Sequence, residues 1–352
     1  MTTAPRTSRA RLNASNAHTG PILPSEGLHA LGTLSPDQIR GILARARDLA
    51  SVANDPATRL DALRDRTIAT CFFESSTRTR LSFTLAAERC GARVVDLGTS
   101  SSTSKGESIA DTARTIAAMG VSAFIVRSAH AGASSIVASA TDRPTINAGD
   151  GKHEHPTQGL LDTLTLAQAA RPDRVRDGSF DLTGLRIAIV GDVASSRVAR
   201  SAIAAMTPLG AEIVCVGPPN MVPASLASLV REPGSVRVER DLDALLPGLD
   251  AVMMLRIQFE RHAGAGGAPG SSEGVPGSPQ LASLREYRER YGLTRERASR
   301  LRPNAWIMHP GPTNLDIELD ASLIDCARSL VRRQVANGVA VRMAVLLDLL
   351  GT

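Results

Sequence analysis

The sequence predicts an α/β protein of two doubly wound domains, each a mainly parallel sheet flanked by helices, with a ligand cleft between the domains. Three observations carry that prediction. Short β-branched and aromatic runs alternate with segments of helical period, as in "RTIATCFF", "SSTRTRLSFTLAAERCG" and "ARVVDL". The alternation runs through the chain twice, and the polar, turn-rich stretch "RPDRVRDGSFDLTG" (Arg171 to Gly184) separates the two passes. Strand after strand ends in arginine, histidine or amide side chains, at the carboxyl ends where open α/β sheets bind ligands.

Residues 1–24 are polar, carry Arg6, Arg9 and Arg11, and contain no acid before Glu26. They read as a flexible basic tail, without the apolar core of a secretory signal or the amphipathic pattern of a transit peptide. "SPDQIRGILARARDLA" opens the first domain, 25–170, as a helix with Ser35 as N-cap and Gln38 completing a capping box. "RTIATCFF" is a buried strand, and the helix after it stops at Gly91. "ARVVDL" is a second strand, and the loop "GTSSSTSKGES" leads into the helix "IADTARTIAAMG". "AFIVRS" and "PTINAGD" are extended, "GKHEHPTQ" is a loop, and "GLLDTLTLAQAA" is a helix.

The second domain, 171–335, repeats the pattern with "LRIAIVGD", the helix "RVARSAIAAMTPLG", "AEIVCVG", "AVMMLR" and "AWIMHPGP". Within it, "AGAGGAPGSSEGVPGSPQ" (Ala263 to Gln280) is too rich in glycine and proline to bury a core and reads as a flexible insertion at 263–280. The last helix, "GVAVRMAVLLDLL", is apolar enough to be buried, and residues 336–352 are expected to cross back to the first domain.

Composition removes several classes of function. No run of apolar residues reaches the length of a membrane span. The net charge of +5 accompanies only 3% aromatic residues, with basic side chains spread along the chain, which argues against nucleic acid. Cys71, Cys90, Cys215 and Cys326 lack metal-ligand spacing and read as buried thiols. The turn "GDVASSR" lacks the G-x-G-x-x-G of a dinucleotide fold. No cofactor and no metal are called for.

What remains is a set of anion-seeking groups. "SSTRTR" (Ser75 to Arg80) places hydroxyls and guanidinia where a strand turns into a helix N-terminus, whose free N–H groups and dipole already favour an anion. Arg127 ends "AFIVR", His155 and Gln158 precede a helix, Arg197 opens another, Arg256 and Gln258 end "AVMMLRIQ", and "HPGPT" ends the last strand. No nucleophile–base order or carboxylate pair stands among them. The implied chemistry is the positioning and electrostatic stabilisation of a polyanion. Of the 40 basic residues only Lys105 and Lys152 are lysines, so Lys105, in a loop of small polar residues, marks a place where a mobile ammonium replaces a planar fork.

"FFESSTRTRLSF", "SSSTSKGESIADT", "NAGDGKHEHPTQGLLDT", "GDVASSRVARS", "LRIQFER" and "HPGPTN" together resemble the carbamoyltransferases, in order from about residue 25 to 350, and among them the aspartate carbamoyltransferase catalytic chains. S-T-R-T-R marks the whole family. Ornithine-type members carry cysteine in the two motifs where this chain has Thr157 and Gly311. The resemblance implies carbamoyl transfer from carbamoyl phosphate to the α-amine of L-aspartate, an early step of pyrimidine synthesis, in the cytoplasm. It assigns carbamoyl phosphate to Ser76, Thr77, Arg78 and Thr79, the carbamoyl oxygen to Thr79, Arg127 and His155, and the carbamoyl NH2 to Gln158. Backbone carbonyls near Pro310, Gly311 and Pro312 assist. Arg197, Arg256 and Gln258 face the aspartate carboxylates. Glu74 is implied to pair with Arg197 and Arg261 on domain closure. Ser101 and Lys105 are implied to enter the neighbouring subunit's site in a homotrimer, a unit that regulatory or dihydroorotase-type chains could join. Two alternatives stay open at this point: a carbamoyltransferase for another amine, and a catalytically silent scaffold for a partner enzyme.

Overall fold

The computed structural model describes residues 20–97, 107–257 and 284–351. Ser101, Lys105, Gln258, Arg261 and the 263–280 insertion lie outside the described residues. Among these residues ten strands form two five-stranded sheets, all parallel. The first holds β1 (Gly27–Leu28), β2 (Thr67–Phe72), β3 (Arg93–Leu97), β4 (Ala123–Ser128) and β5 (Thr145–Asp150) in the order β1-β5-β4-β2-β3. The second holds β6 (Arg186–Val190), β7 (Glu212–Val216), β8 (Ser235–Glu239), β9 (Ala251–Met254) and β10 (Trp306–Met308) in the order β10-β9-β6-β7-β8. In each sheet the order reverses beside an interior strand, so the strand ends open onto a crevice.

The central strands are near-continuous apolar runs because helices cover both faces. Ala123, Phe124, Ile125 and Val126 of β4 are buried, as are Ile187, Ala188, Ile189 and Val190 of β6. The edge strands β3 and β8 are half-exposed and carry charge, Arg93 and Asp96 in one and Arg237 and Glu239 in the other. That polarity keeps an edge from templating aggregation. In "SVRVE" only Val236 and Val238 alternate with charge, a strand pattern too short to stand out in the sequence. The helix Ala133–Thr141 was also missed. Its serines, threonine and valine are weak helix formers, and packing of Ala133 and Val137 holds it in place.

Ser35 accepts from the Gln38 N–H and Gln38 reaches back to the Ser35 N–H, the expected capping box. Ile22 and Leu23 donate their N–H groups to Asp348, so these residues of the stretch read as tail are tied to the C-terminal helix. The helix after "GKHEH" starts at Pro156, three residues earlier than the sequence reading, since proline suits a first helical position. The C-terminal helix Val331–Leu350 lies on the first sheet's helices. Arg45 pairs with its Asp348, and Arg342 donates to Ser82.

One apolar cluster joins the two sheets. Leu160 and Leu164 of the helix Pro156–Ala170 pack with Ala199, Ala202 and Ile203 of the helix Arg197–Met206. A Cβ on Gly159 would fall 2.5 Å from the Ser201 carbonyl oxygen, so only glycine allows this helix approach. The seam fixes how the two sets of strand ends face each other.

Candidate active site

The helix Thr77–Arg89 follows β2 after a short turn. Its N-cap, Ser76, is extended and makes no side-chain cap bond, and the first turn contains no acid. The first-turn N–H groups therefore have no carboxylate competing with an incoming anion. Arg78 is exposed at the mouth and leans on the loop after β10. A Cβ on Gly311 would lie 2.3 Å from Arg78 Nη1 and would push the guanidinium aside, and at φ +64 the backbone here favours glycine. Desolvation and then the charge of Arg256 pull the Arg78 pKa down. A cation from each sheet thus points into the same space.

Across the cleft one carboxylate gathers two guanidinia. Arg197 donates to Glu74 through both nitrogens, Nη2 to Oε1 at 2.8 Å and Nη1 to Oε2 at 2.9 Å. Such fork-to-fork pairing fixes orientation as well as distance. Arg127 sits at the register shift between β4 and β5, donates to the Ala148 carbonyl at 3.0 Å, and reaches Glu74 Oε1 at 3.4 Å. A bulge of this kind re-aims a side chain. Gly149, at φ +117, leaves room for both, since a Cβ there would be 3.0 Å from Arg127 Nη1 and 3.1 Å from Arg197 Nε.

His155 is the N-cap of the helix Pro156–Ala170. Its backbone N–H donates to Ser201 Oγ at 2.8 Å, and that hydroxyl donates to Glu154 Oε2 at 3.1 Å. The ring is 4% exposed, and neither nitrogen has a hydrogen-bond partner among the described residues. Burial, reinforced by Arg127, Arg342 and Arg197, drives its pKa well below the ordinary histidine value. The imidazole is neutral, so one ring nitrogen carries a proton it can donate. The loop bearing Pro310, Gly311 and Pro312 is held from behind. Gly311 donates its N–H to His309 Nδ1 at 2.8 Å, which leaves Nε2–H to face Glu318 at 3.3 Å.

These contacts bring Glu74, Arg78, Arg127, His155, Arg197, Arg256 and Gly311 to one cleft, with Ser76, Thr77 and Thr79 at the helix start beside Arg78. Gln158 lies one helical turn below His155, its amide nitrogen 2.9 Å from Asp162 Oδ1. Sequence reasoning missed Arg342. It is 4% exposed, lies 4.9 Å over the Phe83 ring, and donates to Ser82 Oγ at 2.9 Å. Burial first of all pulls its pKa down to about 10, and Asp162 partly offsets this. The available signal was an arginine alone in the apolar run "GVAVRMAVLLDLL". Asp162 and Gln334 gave no comparable signal.

Two family models match the chain. The carbamoyl-phosphate-binding domain of aspartate/ornithine carbamoyltransferases covers residues 28–168, and the Asp/Orn-binding domain of the same family covers residues 183–349. The aspartate carbamoyltransferase catalytic subunit of Thermobifida fusca is 44% identical over 92% of this chain and 95% of its own length. That of Gluconacetobacter diazotrophicus is 41% identical over 99% and 98%. The aspartate transcarbamoylase of Trypanosoma cruzi, solved in complex with carbamoyl phosphate and aspartate, superposes with a TM-score of 0.79 at 26% identity, covering 94% of this chain and 99% of that one. An ornithine carbamoyltransferase from Gloeobacter violaceus, at 23% identity, covers 93% of this chain and 99% of its own with a TM-score of 0.73, and shares the fold. The chain belongs to the aspartate/ornithine carbamoyltransferase family, and within it to the aspartate carbamoyltransferase catalytic subunits.

Proposed function

We propose that the chain transfers the carbamoyl group of carbamoyl phosphate to the α-amine of L-aspartate, giving N-carbamoyl-L-aspartate and phosphate for pyrimidine synthesis in the cytoplasm. The observation that carries this reading is His155, a buried neutral imidazole without a partner among the described residues, set among the guanidinia of Arg127 and Arg197. A buried donor left unpaired costs free energy, which a substrate carbonyl oxygen recovers on binding. The trypanosomal relative's two bound substrates are the ones this arrangement suits.

The phosphate sits at the helix start against Ser76, Thr77, Arg78 and Thr79. Thr79, Arg127 and His155 donate to the carbamoyl oxygen, and Gln158 with carbonyls of the Pro310–Gly311–Pro312 loop takes the NH2. Arg197, Arg256 and Gln258 hold the aspartate carboxylates. The amine lone pair attacks the carbamoyl carbon, and the bond from that carbon to the bridging oxygen of the phosphate breaks. Phosphate leaves with that electron pair and takes the amine's proton, which accounts for a site without a dedicated base. Glu74 bridges Arg127 and Arg197, and Arg261 joins it on closure.

The same reading makes the working unit a homotrimer, with Ser101 and Lys105 completing a neighbour's site. Leu81, Leu85 and Val95 support it as exposed apolar side chains on the helix Thr77–Arg89 and the edge strand β3, just before that loop. The domain division near residue 170 belongs to this reading too.

The test is an assay of the purified chain with carbamoyl phosphate and either L-aspartate or L-ornithine, with Arg78→Ala in parallel. Carbamoyl-aspartate formation that falls about a hundred- to thousand-fold in Arg78→Ala is expected, the usual loss for one preorganised donor. Carbamoylation of ornithine alone would overturn the substrate, and Arg78→Ala within threefold of wild type would remove it from the site.

A further inference from the structure

A buried hydrogen-bond chain runs behind Gln158. It starts at a backbone donor with no choice of polarity: the His309 N–H, which donates to Gln334 Oε1 at 3.1 Å. That contact fixes which way the Gln334 amide points, so its Nε2 donates to Asp162 Oδ1 at 2.7 Å. The same Asp162 oxygen accepts from Gln158 Nε2 at 2.9 Å. Asp162 is fully buried, Gln334 is 2% exposed and Gln158 9%. We propose that Asp162 is a positioning residue: it holds the Gln158 amide nitrogen inward, so that the carboxamide oxygen is the group offered to the substrate. The inference rests on the reading that Gln158 receives the carbamoyl NH2.

The chemistry needs that orientation. A carbamoyl NH2 is a donor, and only an amide oxygen can accept from it. A free glutamine flips between its two faces and presents the wrong one part of the time. Asp162 Oδ1 accepts in either protonation state, so the orientation is independent of the proton on this carboxyl, whose pKa burial lifts to about 7. The charge of Arg342 weakens this lift. Asp162 Oδ2 makes no hydrogen bond among the described residues, so the positioning role rests on Oδ1. The chain also ties the helix Pro156–Ala170 to the loop after β10, which carries the other acceptors proposed for the same NH2.

Asp162→Asn keeps an oxygen at Oδ1 and places its NH2 where no partner is lost. Asp162→Leu keeps the shape and removes the acceptor. Steady-state kinetics should show the asparagine variant within about threefold of wild type, and the leucine variant down about tenfold in kcat/KM for carbamoyl phosphate, the worth of one neutral hydrogen bond. Gln158→Ala and the double variant Asp162→Leu/Gln158→Ala close the cycle. If Asp162 acts through Gln158, the double variant loses no more than Gln158→Ala alone. Additive losses, an asparagine variant as poor as leucine, or a leucine variant at wild-type activity would each overturn the inference. Wild-type activity in Gln158→Ala would instead overturn the role of Gln158 itself. Should the leucine variant not fold, the asparagine variant decides.

Discussion

Removing Glu74 is the sharpest test of how the two sheets are coupled. Its carboxylate binds Arg197 through two bonds of 2.8 and 2.9 Å, and the Arg197 side chain is only 6% exposed against 27% for Glu74. Unit charges about 4 Å apart at an effective dielectric of 20 attract by about 4 kcal/mol. Partial solvent access at Glu74 trims this, and the cost of stranding a buried cation leaves about 3 kcal/mol. Glu74→Ala therefore disfavours the arrangement with Arg197 in the cleft by about a hundredfold. The loss should appear in kcat/KM for aspartate, measured at saturating carbamoyl phosphate, because Arg197 is assigned to the second substrate. Calorimetry should show carbamoyl phosphate binding weakened less than aspartate, since Glu74 meets Arg127 through one long contact of 3.4 Å that the Ala148 carbonyl backs up. Glu74→Gln keeps one acceptor without the charge and should lose about tenfold. An alanine variant within threefold of wild type for aspartate would refute the coupling.

Two further outcomes follow from the same geometry. Arg256→Ala should weaken aspartate by about 2–5 kcal/mol, the cost of breaking a charged hydrogen-bonded pair, and should raise the depressed Arg78 pKa by removing a like charge. Equal weakening of both substrates would contradict its assignment to aspartate. His155 has a folded pKa well below the 6.5 of an exposed ring, so the unfolded chain binds its proton first and stability falls as pH drops below 6.5. If the folded ring stays neutral, wild type should lose about 1.4 kcal/mol relative to His155→Gln between pH 7.5 and 5.5, read by urea unfolding. A pH-independent difference would mean the ring is not held neutral.

Both sheets were legible in the sequence because their inner strands are buried on both faces and so read as uninterrupted apolar runs, as in "AFIV" and "RIAIV". The helix-start cluster was legible for a different reason. Five hydroxyl or guanidinium groups follow Ser75 with no acid among them, a composition that local structure alone does not favour. Two elements were silent: β8, where only two valines alternate with charge, and the helix Ala133–Thr141, built of weak helix formers.

Within the site, legibility followed what each residue touches. Arg78, Arg127 and Arg256 stand at strand or helix ends, so their place in the chain already points them at the crevice. Glu74 could be paired with Arg197 only through the family resemblance, because the two lie 123 residues apart and meet across the cleft. Asp162 and Gln334 are further from reach still: 172 residues separate them, each is one polar residue on a helix, and neither spacing nor composition distinguishes them. Their significance comes from burial. An aspartate in contact with solvent would be held loosely by water, but one with no exposed surface must have its orientation set by the protein. That constraint can be inherited by any amide bonded to it. The groups that touch substrate can therefore be read from the ends of strands, while the groups that aim them become visible only once the chain has folded and each buried donor and acceptor has been given its partner.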